Sequence, residues 1–333
     1  MPDITIIMPV FNAASYLQEC IDSILSQTER DWELIAIDDH SKDDSLQILL
    51  DYQSKDERIY IFNNKEKGII PALRLAFSHA KGIFITRMDA DDKMAPTRLS
   101  QMKHQLLKHG KGHIATGLVR YFSENTLGDG YQRYEKWLND LTRQGTNFDE
   151  IYKECVIPSP CWMLYKEDLH AVGAFQPNTY PEDYDLCFRF YKQGLKVIPE
   201  HKILHHWRDY ATRSSRTDPH YADNAFLDLK VDYFLQLDWD NTKQLVLWGA
   251  GKKGKRIAKI LHEKGISFRW ICNQPRKWGH LLHGSMFEDS RLLPDIPTPQ
   301  IIIAVANPDE QLLITEQLRH LKLRKGVSYF FFC

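Results

Sequence analysis

Ile83-Phe84-Ile85-Thr86-Arg87-Met88-Asp89-Ala90-Asp91-Asp92 is the stretch on which the reading of this chain turns. It begins as a short apolar run after Gly82 and ends in three carboxylates within four residues, the pattern of a buried strand that breaks into a polar turn. Strand ends are where open α/β sheets keep their ligand crevices. Carboxylates packed this closely repel one another, and each favours its protonated form. A divalent cation offsets that cost, and hard oxygen ligands suit Mg²⁺ or Mn²⁺ held together with substrate phosphates. The plain alternative is a solvated acidic turn ahead of a helix that starts near Pro96.

Working outward, residues 4–8 read as an apolar strand closed by Pro9-Val10-Phe11-Asn12. A helix follows, with Leu17, Cys20, Ile21, Ile24 and Leu25 on one face and Ser15 or Asn12 as its cap. Residues 32–37 form a second strand that also ends in acid, Asp38-Asp39-His40-Ser41-Lys42-Asp43. A helix over 44–50, a strand over 59–62 and a helix over 68–80 complete three strand–helix alternations before the opening stretch. Such alternation predicts an α/β fold, a mostly parallel sheet with helices on both faces. Parallel strands bring both acidic ends to one edge, which argues for a site over two unrelated surface turns.

Six short stretches resemble, in order, the nucleotide-sugar glycosyltransferases of family 2, which have the GT-A fold. They are Pro9-Val10-Phe11-Asn12, Leu25-Ser26-Gln27-Thr28, Asp38 to Asp43, Gly68-Ile69-Ile70-Pro71-Ala72-Leu73, Arg87 to Asp92, and Pro96-Thr97-Arg98-Leu99. The resemblance implies that Pro9, Phe11, Asn12, Asp39 and Asp89 bind the nucleotide. It also implies that Asp91 and Asp92 meet a metal-bound diphosphate, with Mn²⁺ or Mg²⁺ as cofactor. Arg74 stands where the family often has Asn, and its role is left open.

Residues 156–165 read as a strand interrupted by prolines, hence an edge or a bend. In the family, a segment like 158–163 approaches donor sugar and acceptor, which places Trp162 on the acceptor side. Pro181-Glu182-Asp183-Tyr184-Asp185-Leu186 opens a helix, where acids are also favoured by the macrodipole alone. It resembles the family's Glu-Asp motif, which implies Asp183 as catalytic base with Glu182 beside it on the acceptor side. A carboxylate in reach of a sugar hydroxyl can take its proton as the new bond forms. One base opposite the departing nucleotide gives inversion, by the logic of glycoside hydrolysis. His205 to Arg216 reads as a basic loop, either solvated or closing on the diphosphate. In the latter case Arg208 and Arg213 donate to phosphate and His206 sits near the metal.

Near Thr242 a second domain begins, with a strand, the glycine turn Gly249-Ala250-Gly251-Lys252-Lys253-Gly254 and a helix. It resembles the small Rossmann-like modules that accompany some sugar-modifying enzymes. A dinucleotide site needs an acid at the end of the next strand, and Asn273 stands there instead. No redox role is expected of it. The expected domains are 1–222 for the transferase, 223–241 for a helical linker and 242–333 for the small module.

The formal net charge of -1 excludes a field that recruits nucleic acid. Six cysteines without C-x-x-C spacing argue against zinc and fit a reducing compartment. No signal peptide is expected, and no apolar run reaches the ~18 residues of a span. The expectation is a metal-dependent, inverting, cytosolic glycosyltransferase, with scope for peripheral contact at the inner face of the membrane. Its partners are a nucleotide-sugar donor, of which a UDP-sugar is favoured, and a glycan or lipid-linked acceptor in surface polysaccharide synthesis. The Gln-x-x-Arg-Trp signature of processive synthases is absent, which favours one sugar per encounter. Three rivals stand beside this reading. A sugar nucleotidyltransferase needs a glycine-rich loop after the first strand, and Pro9 to Asn12 is not one. A dehydrogenase would be built on Gly249 to Gly254. The third rival is a non-catalytic nucleotide-sugar binder.

Overall fold

Ile4–Val10 (β1) is apolar and buried on both sides, as a central strand of a parallel sheet must be. The computed structural model describes residues 2–123, 128–211, 213 and 226–333. They divide into two compact units, Met1–Asn147 with Val156–Arg213, and Phe148–Cys155 with Ser214–Cys333.

In the first unit β1 is followed by helix α1 (Ala14–Leu25), β2 (Trp32–Asp38), α2 (Ser45–Gln53), β3 (Ile59–Asn63), α3 (Ile69–His79) and β4 (Phe84–Arg87). The three alternations read from the sequence are therefore present. β5 (Lys93–Met94), α4 (Arg98–His109), β6 (His113–Thr116), β7 (Leu118–Phe122) and α5 (Asp129–Gln144) come next. After them come β8 (Trp162–Tyr165), α6 (Lys166–Ala171), α7 (Glu182–Lys192), β9 (Lys196–Ile198) and β10 (Ile203–Arg208). A seven-stranded sheet has the order β3-β2-β1-β4-β8-β6-β9, and β5-β10-β7 form a small second sheet. Of the seven strands, β8 runs against its neighbours β4 and β6. Of the two readings the prolines suggest, an edge or a bend, the edge is not what the sheet shows. Pro158 and Pro160 lie in the loop ahead of β8, so they do not interrupt its ladder and the strand sits inside the sheet.

Two loops at the C-terminal ends of β1 and β2 interlock. The cap of α1 was expected from Asn12 or Ser15. Its amides are met from the other loop: Ala13 N–H donates to Ser45 Oγ (2.8 Å) and Ala14 N–H to Asp43 Oδ2 (3.0 Å). Asn12 N–H donates to Ser41 Oγ (3.1 Å), and Asn12 Oδ1 accepts Lys42 N–H (2.7 Å). Satisfying orphan helix amides across two loops fixes both strand ends relative to each other. At the opposite end of β4, Gly82 admits no side chain, because a Cβ there would lie 2.5 Å from Thr5 N.

The second unit holds α8 (Phe226–Leu237), β11 (Gln244–Trp248), α9 (Lys252–Glu263), β12 (Arg269–Cys272), β13 (Leu281–Leu282), β14 (Ser285–Asp289), β15 (Pro299–Ile303), α10 (Pro308–His320) and β16 (Tyr329–Phe331). The sheet order is β13-β14-β12-β11-β15-β16, parallel from β14 to β16. That is the order of a doubly wound fold with its switch point between β11 and β15. Gly249 and Gly254 are packing glycines. A Cβ on Gly249 would lie 2.7 Å from Ala304 O, and one on Gly254 would collide with Gly249 O. Residues 148–155 belong with this unit's core: the Tyr152 ring stacks on Phe332 at 5.1 Å and meets Phe234 and Phe330 edge-on.

Candidate active site

The acidic ends of β2 and β4 lie at the same edge of the seven-stranded sheet, because β1 pairs in parallel with both strands. Asp39 N–H donates to Val10 O (2.7 Å), which sets Asp39 beside Pro9, Phe11 and Asn12. Its carboxylate accepts Gly68 N–H on both oxygens (2.9 Å each) and Asn64 Nδ2 (2.7 Å). Asp38 Oδ1, next to it, is buried with no hydrogen-bond partner among the described residues. Phe11 is 46% exposed, and the Lys67 ammonium lies 4.9 Å from its ring centroid. The five residues expected at the nucleotide divide between this corner and the Asp89 turn.

Asp89, Asp91 and Asp92 differ in what holds them. Asp92 is fully buried; Oδ2 accepts His205 Nε2 (3.0 Å) and Oδ1 accepts Arg208 N–H (2.7 Å). Asp91 is partly exposed and accepts the Tyr210 hydroxyl on Oδ2 (3.0 Å). Burial, with the Asp92 charge adding, pushes its carboxyl up to about 7. Asp89, also partly exposed, accepts Arg87 Nε on Oδ1 (2.9 Å).

His206, expected near the metal with Asp91 and Asp92, is not brought to them. Neighbouring residues of a strand face opposite ways. His205 turns inward to Asp92, and His206 turns to the other face. There burial, helped by the Lys93 and Arg120 charges, lowers its pKa. Among the described residues no group of three His, Cys, Asp or Glu side chains is arranged to hold a metal ion. Burial pushes the carboxyls of both Asp91 and Asp92 up to about 7, a cost that a cation would relieve at either; Asp92 has both oxygens engaged and is fully buried, and Asp91 is the more exposed of the two.

Arg208 is pinned rather than loose. Its Nε donates to Asp91 O (2.7 Å), its Nη2 pairs with Glu19, and its guanidinium lies over Tyr16 and Phe122. Arg213 is 8% exposed and lies over the Trp207 ring, 5.1 Å from its centroid, where Asp92 and Asp91 favour its charge. Thr212 and Ser214 to Arg216, the rest of the expected basic loop, lie outside the described residues.

Across from the acidic turn, α7 begins at Glu182 with Asp183 and Asp185 in its first turn. Glu182, Asp183, Trp162 and Arg87 line a small cleft that is open to solvent. Phe175, Leu186 and Phe190 supply apolar walls. Asp183 stays partly exposed there. Burial among these walls, with the Glu182 charge adding, pushes its carboxyl up to about 7. Trp162 is buried in β8, with its carbonyl accepting Thr86 Oγ1 (2.6 Å). Arg74 donates to Phe175 O (3.1 Å), Gln176 O (2.9 Å) and Asn178 Oδ1 (2.7 Å), so it braces the loop leading to Glu182.

Sequence reading passed over Arg87, Arg98 and His205. Arg98 is fully buried: Nη1 lies 2.9 Å from His205 Nδ1, and Nη2 donates to Thr86 Oγ1 (3.0 Å) and Arg87 O (2.9 Å). The signal was there in Pro96-Thr97-Arg98-Leu99, because an arginine on the buried face of a helix demands partners.

The profile described as "Glycosyl transferase family 2" matches residues 5–173, half of the chain. EpsE of Bacillus subtilis, whose name classes it with the glycosyltransferases, is 40% identical over 229 residues, 68% of this chain and 80% of its own length. Glycosyltransferase GlyA of Streptococcus pneumoniae is 28% identical over 217 residues, 62% of this chain, and the match spans 30% of GlyA. Among solved structures, S. aureus TarS (residues 1–349) in complex with UDP-GlcNAc has a TM-score of 0.54 at 17% identity, covering 79% of this chain and 72% of that one. Mannosyltransferase PcManGT from Pyrobaculum calidifontis, in complex with GDP-Man and Mn²⁺, has a TM-score of 0.51 at 16% identity, covering 71% and 62%. With a matching profile over half its length and a 40% identical relative, this chain belongs to glycosyl transferase family 2.

Proposed function

We propose that the chain transfers a sugar, with inversion, from a UDP-sugar to a glycan or lipid-linked acceptor in surface polysaccharide synthesis. The observation that carries the reading is Asp183. It is a carboxyl at the start of α7, in a cavity joined through Arg87 to the Asp89 turn. In this reading Pro9, Phe11, Asn12 and Asp39 hold the nucleoside, and Asp89 faces the nucleotide's sugar-phosphate portion. Arg213 donates to the diphosphate, and Arg208 fixes the acidic turn from behind. Trp162 and Glu182 shape the acceptor side.

The chemistry balances simply. The acceptor hydroxyl attacks the anomeric carbon, Asp183 takes its proton, and the bond to the diphosphate oxygen breaks with its electron pair. Attack from the face opposite the nucleotide inverts the configuration. Asp91 would hold a divalent cation, Mg²⁺ or Mn²⁺, together with the diphosphate, and the cation would neutralise charge on the leaving group. The names of relatives support the class: TarS is solved with UDP-GlcNAc, and a 33% identical stretch of Pasteurella multocida chondroitin synthase covers 62% of this chain. No helix of the described residues is long and apolar enough to cross a membrane. The reading puts the reaction in the cytosol, with peripheral contact at the inner face of the membrane. The second unit serves positioning, assembly or acceptor recognition.

The test is a thermal-shift screen of UDP, GDP, UDP-sugars and GDP-sugars, with and without Mn²⁺. UDP-sugars should raise the melting temperature most, and more with Mn²⁺. A shift with none of them would overturn the reading.

A further inference from the structure

The base and the acidic turn stand on different elements, α7 and the end of β4, and the Arg87 side chain bonds a carboxylate on each, Glu182 and Asp89. Arg87 is the last residue of β4 and is 4% exposed. Its Nε donates to Asp89 Oδ1 (2.9 Å) and its Nη1 to Glu182 Oε1 (3.1 Å). Its carbonyl accepts Arg98 Nη2 (2.9 Å), so its backbone is held from the buried side. The planar guanidinium offers donors in a fixed fork, which a lysine ammonium cannot reproduce across two carboxylates.

We propose that Arg87 is a positioning residue for transfer: it clasps the donor-side turn to the start of α7 and so sets the aim of Asp183. The proposal rests on Asp183 being the base. Glu182 and Asp183 are adjacent carboxyls lining one cavity, and Glu182 pairs with Arg87 at 3.1 Å. Beyond burial, the Glu182 charge disfavours ionisation of Asp183 and the Arg87 charge favours it. The groups that face Asp183 electrostatically are Glu182 on its own helix, Arg87 on β4 and Asp89 on the turn after it. Among the described residues Asp183 accepts a local amide, Tyr184 N–H on Oδ1 (2.8 Å), so its aim depends on where the start of α7 is held. A purely structural ion pair would fix the same helix. It would not tie the base's protonation to a residue on another strand.

The experiment compares the full wild-type chain with R87M, R87K and D183N. It follows UDP release from UDP-GlcNAc and UDP-glucose with Mn²⁺, and measures kcat, KM and the pH profile of kcat. R87M should lower kcat about tenfold or more with donor KM changed less than about threefold. Its acid limb should move up by about one pH unit, because a cation facing the carboxyl pair is gone. R87K should restore the midpoint to near the wild-type value and leave kcat reduced. R87K is also the arm that decides if R87M does not fold. Wild-type kinetics in R87K, or a lowered kcat in R87M at an unmoved midpoint, would overturn the role given to Arg87. D183N separates the two claims: normal UDP release there removes the base assignment, whatever Arg87 does.

Discussion

His205 Nε2 lies 3.0 Å from Asp92 Oδ2, with both side chains fully buried. On the ring's other side Arg98 Nη1 lies 2.9 Å from Nδ1. A guanidinium only donates, so Nδ1 accepts, and the proton of the neutral ring sits on Nε2 and points at Asp92. Burial, with the Arg98 charge adding, lowers the imidazole pKa well below its ordinary value, in keeping with that neutral form. Asp92 is thereby a fixed acceptor that also holds the Arg208 amide, and the acidic turn hangs from it.

This separates two neighbouring carboxylates by role. Asp91→Asn should keep the fold and weaken Mn²⁺-supported UDP binding by about tenfold, the scale of one lost ligand contact. Asp92→Asn should instead lower stability by about 1–3 kcal/mol, since one of its two buried donors, His205 Nε2–H or Arg208 N–H, loses its acceptor and meets an amide NH2 instead. Urea unfolding and Mn²⁺-dependent UDP titration of both variants check the split. Equal stability in the two would remove the distinction.

A pH signature follows from the same histidine. The ring stays neutral when folded and takes a proton when the chain unfolds. Its stabilisation is complete above about pH 6.5, the free imidazole value, and is lost as pH falls below it, by up to about 1.4 kcal/mol per pH unit. His205→Gln should be less stable at pH 7.5 and should lose less further stability between pH 6.5 and 5 than the wild type. Parallel stability curves for the two proteins would show that His205 does not titrate on unfolding.

Much of this was legible in advance, for physical reasons. β1 and β4 are apolar runs long enough to require burial, and Asp39, Asp89 and Asp183 sit at element ends where chemistry gathers. What the sequence concealed is side-chain direction. His205 and His206 are adjacent and chemically equivalent on paper, and only the pleat of β10, set by pairing with β5 and β7, decides which faces Asp92. Partners distant in the chain were hidden too, as with the helix cap that α1 receives from Asp43 and Ser45. The place of residues 148–155 in the second unit was equally invisible, because Tyr152 finds Phe332 only in three dimensions.

The second unit has its own expectation. The strand end that would carry a ribose-binding acid carries Asn273, whose Oδ1 accepts Trp248 Nε1 (3.3 Å). Around Gly251 there is open space, so the turn is not sterically closed to an anion. Titration of the full chain with NADH and NADPH, followed by fluorescence, should show no micromolar binding. Micromolar binding of either would revive a dinucleotide role for this unit.

Asp183 should act only when ionised. With its carboxyl pushed up to about 7, kcat should be low at pH 5.5, rise through about pH 7 and level off above it. Asp183→Asn should lose about 10²–10⁴-fold in kcat and retain UDP binding. A flat profile from pH 5.5 to 8.5 would mean that the base is another group.

The most direct measurement is the configuration of the product. Proton NMR of the anomeric signal, recorded as the enzyme hydrolyses an α-linked UDP-sugar with water in the acceptor's place, reports it before mutarotation mixes the anomers. The account predicts that the β-anomer appears first and that Asp183→Asn abolishes its formation. The α-anomer appearing first would contradict a single base acting opposite the departing nucleotide.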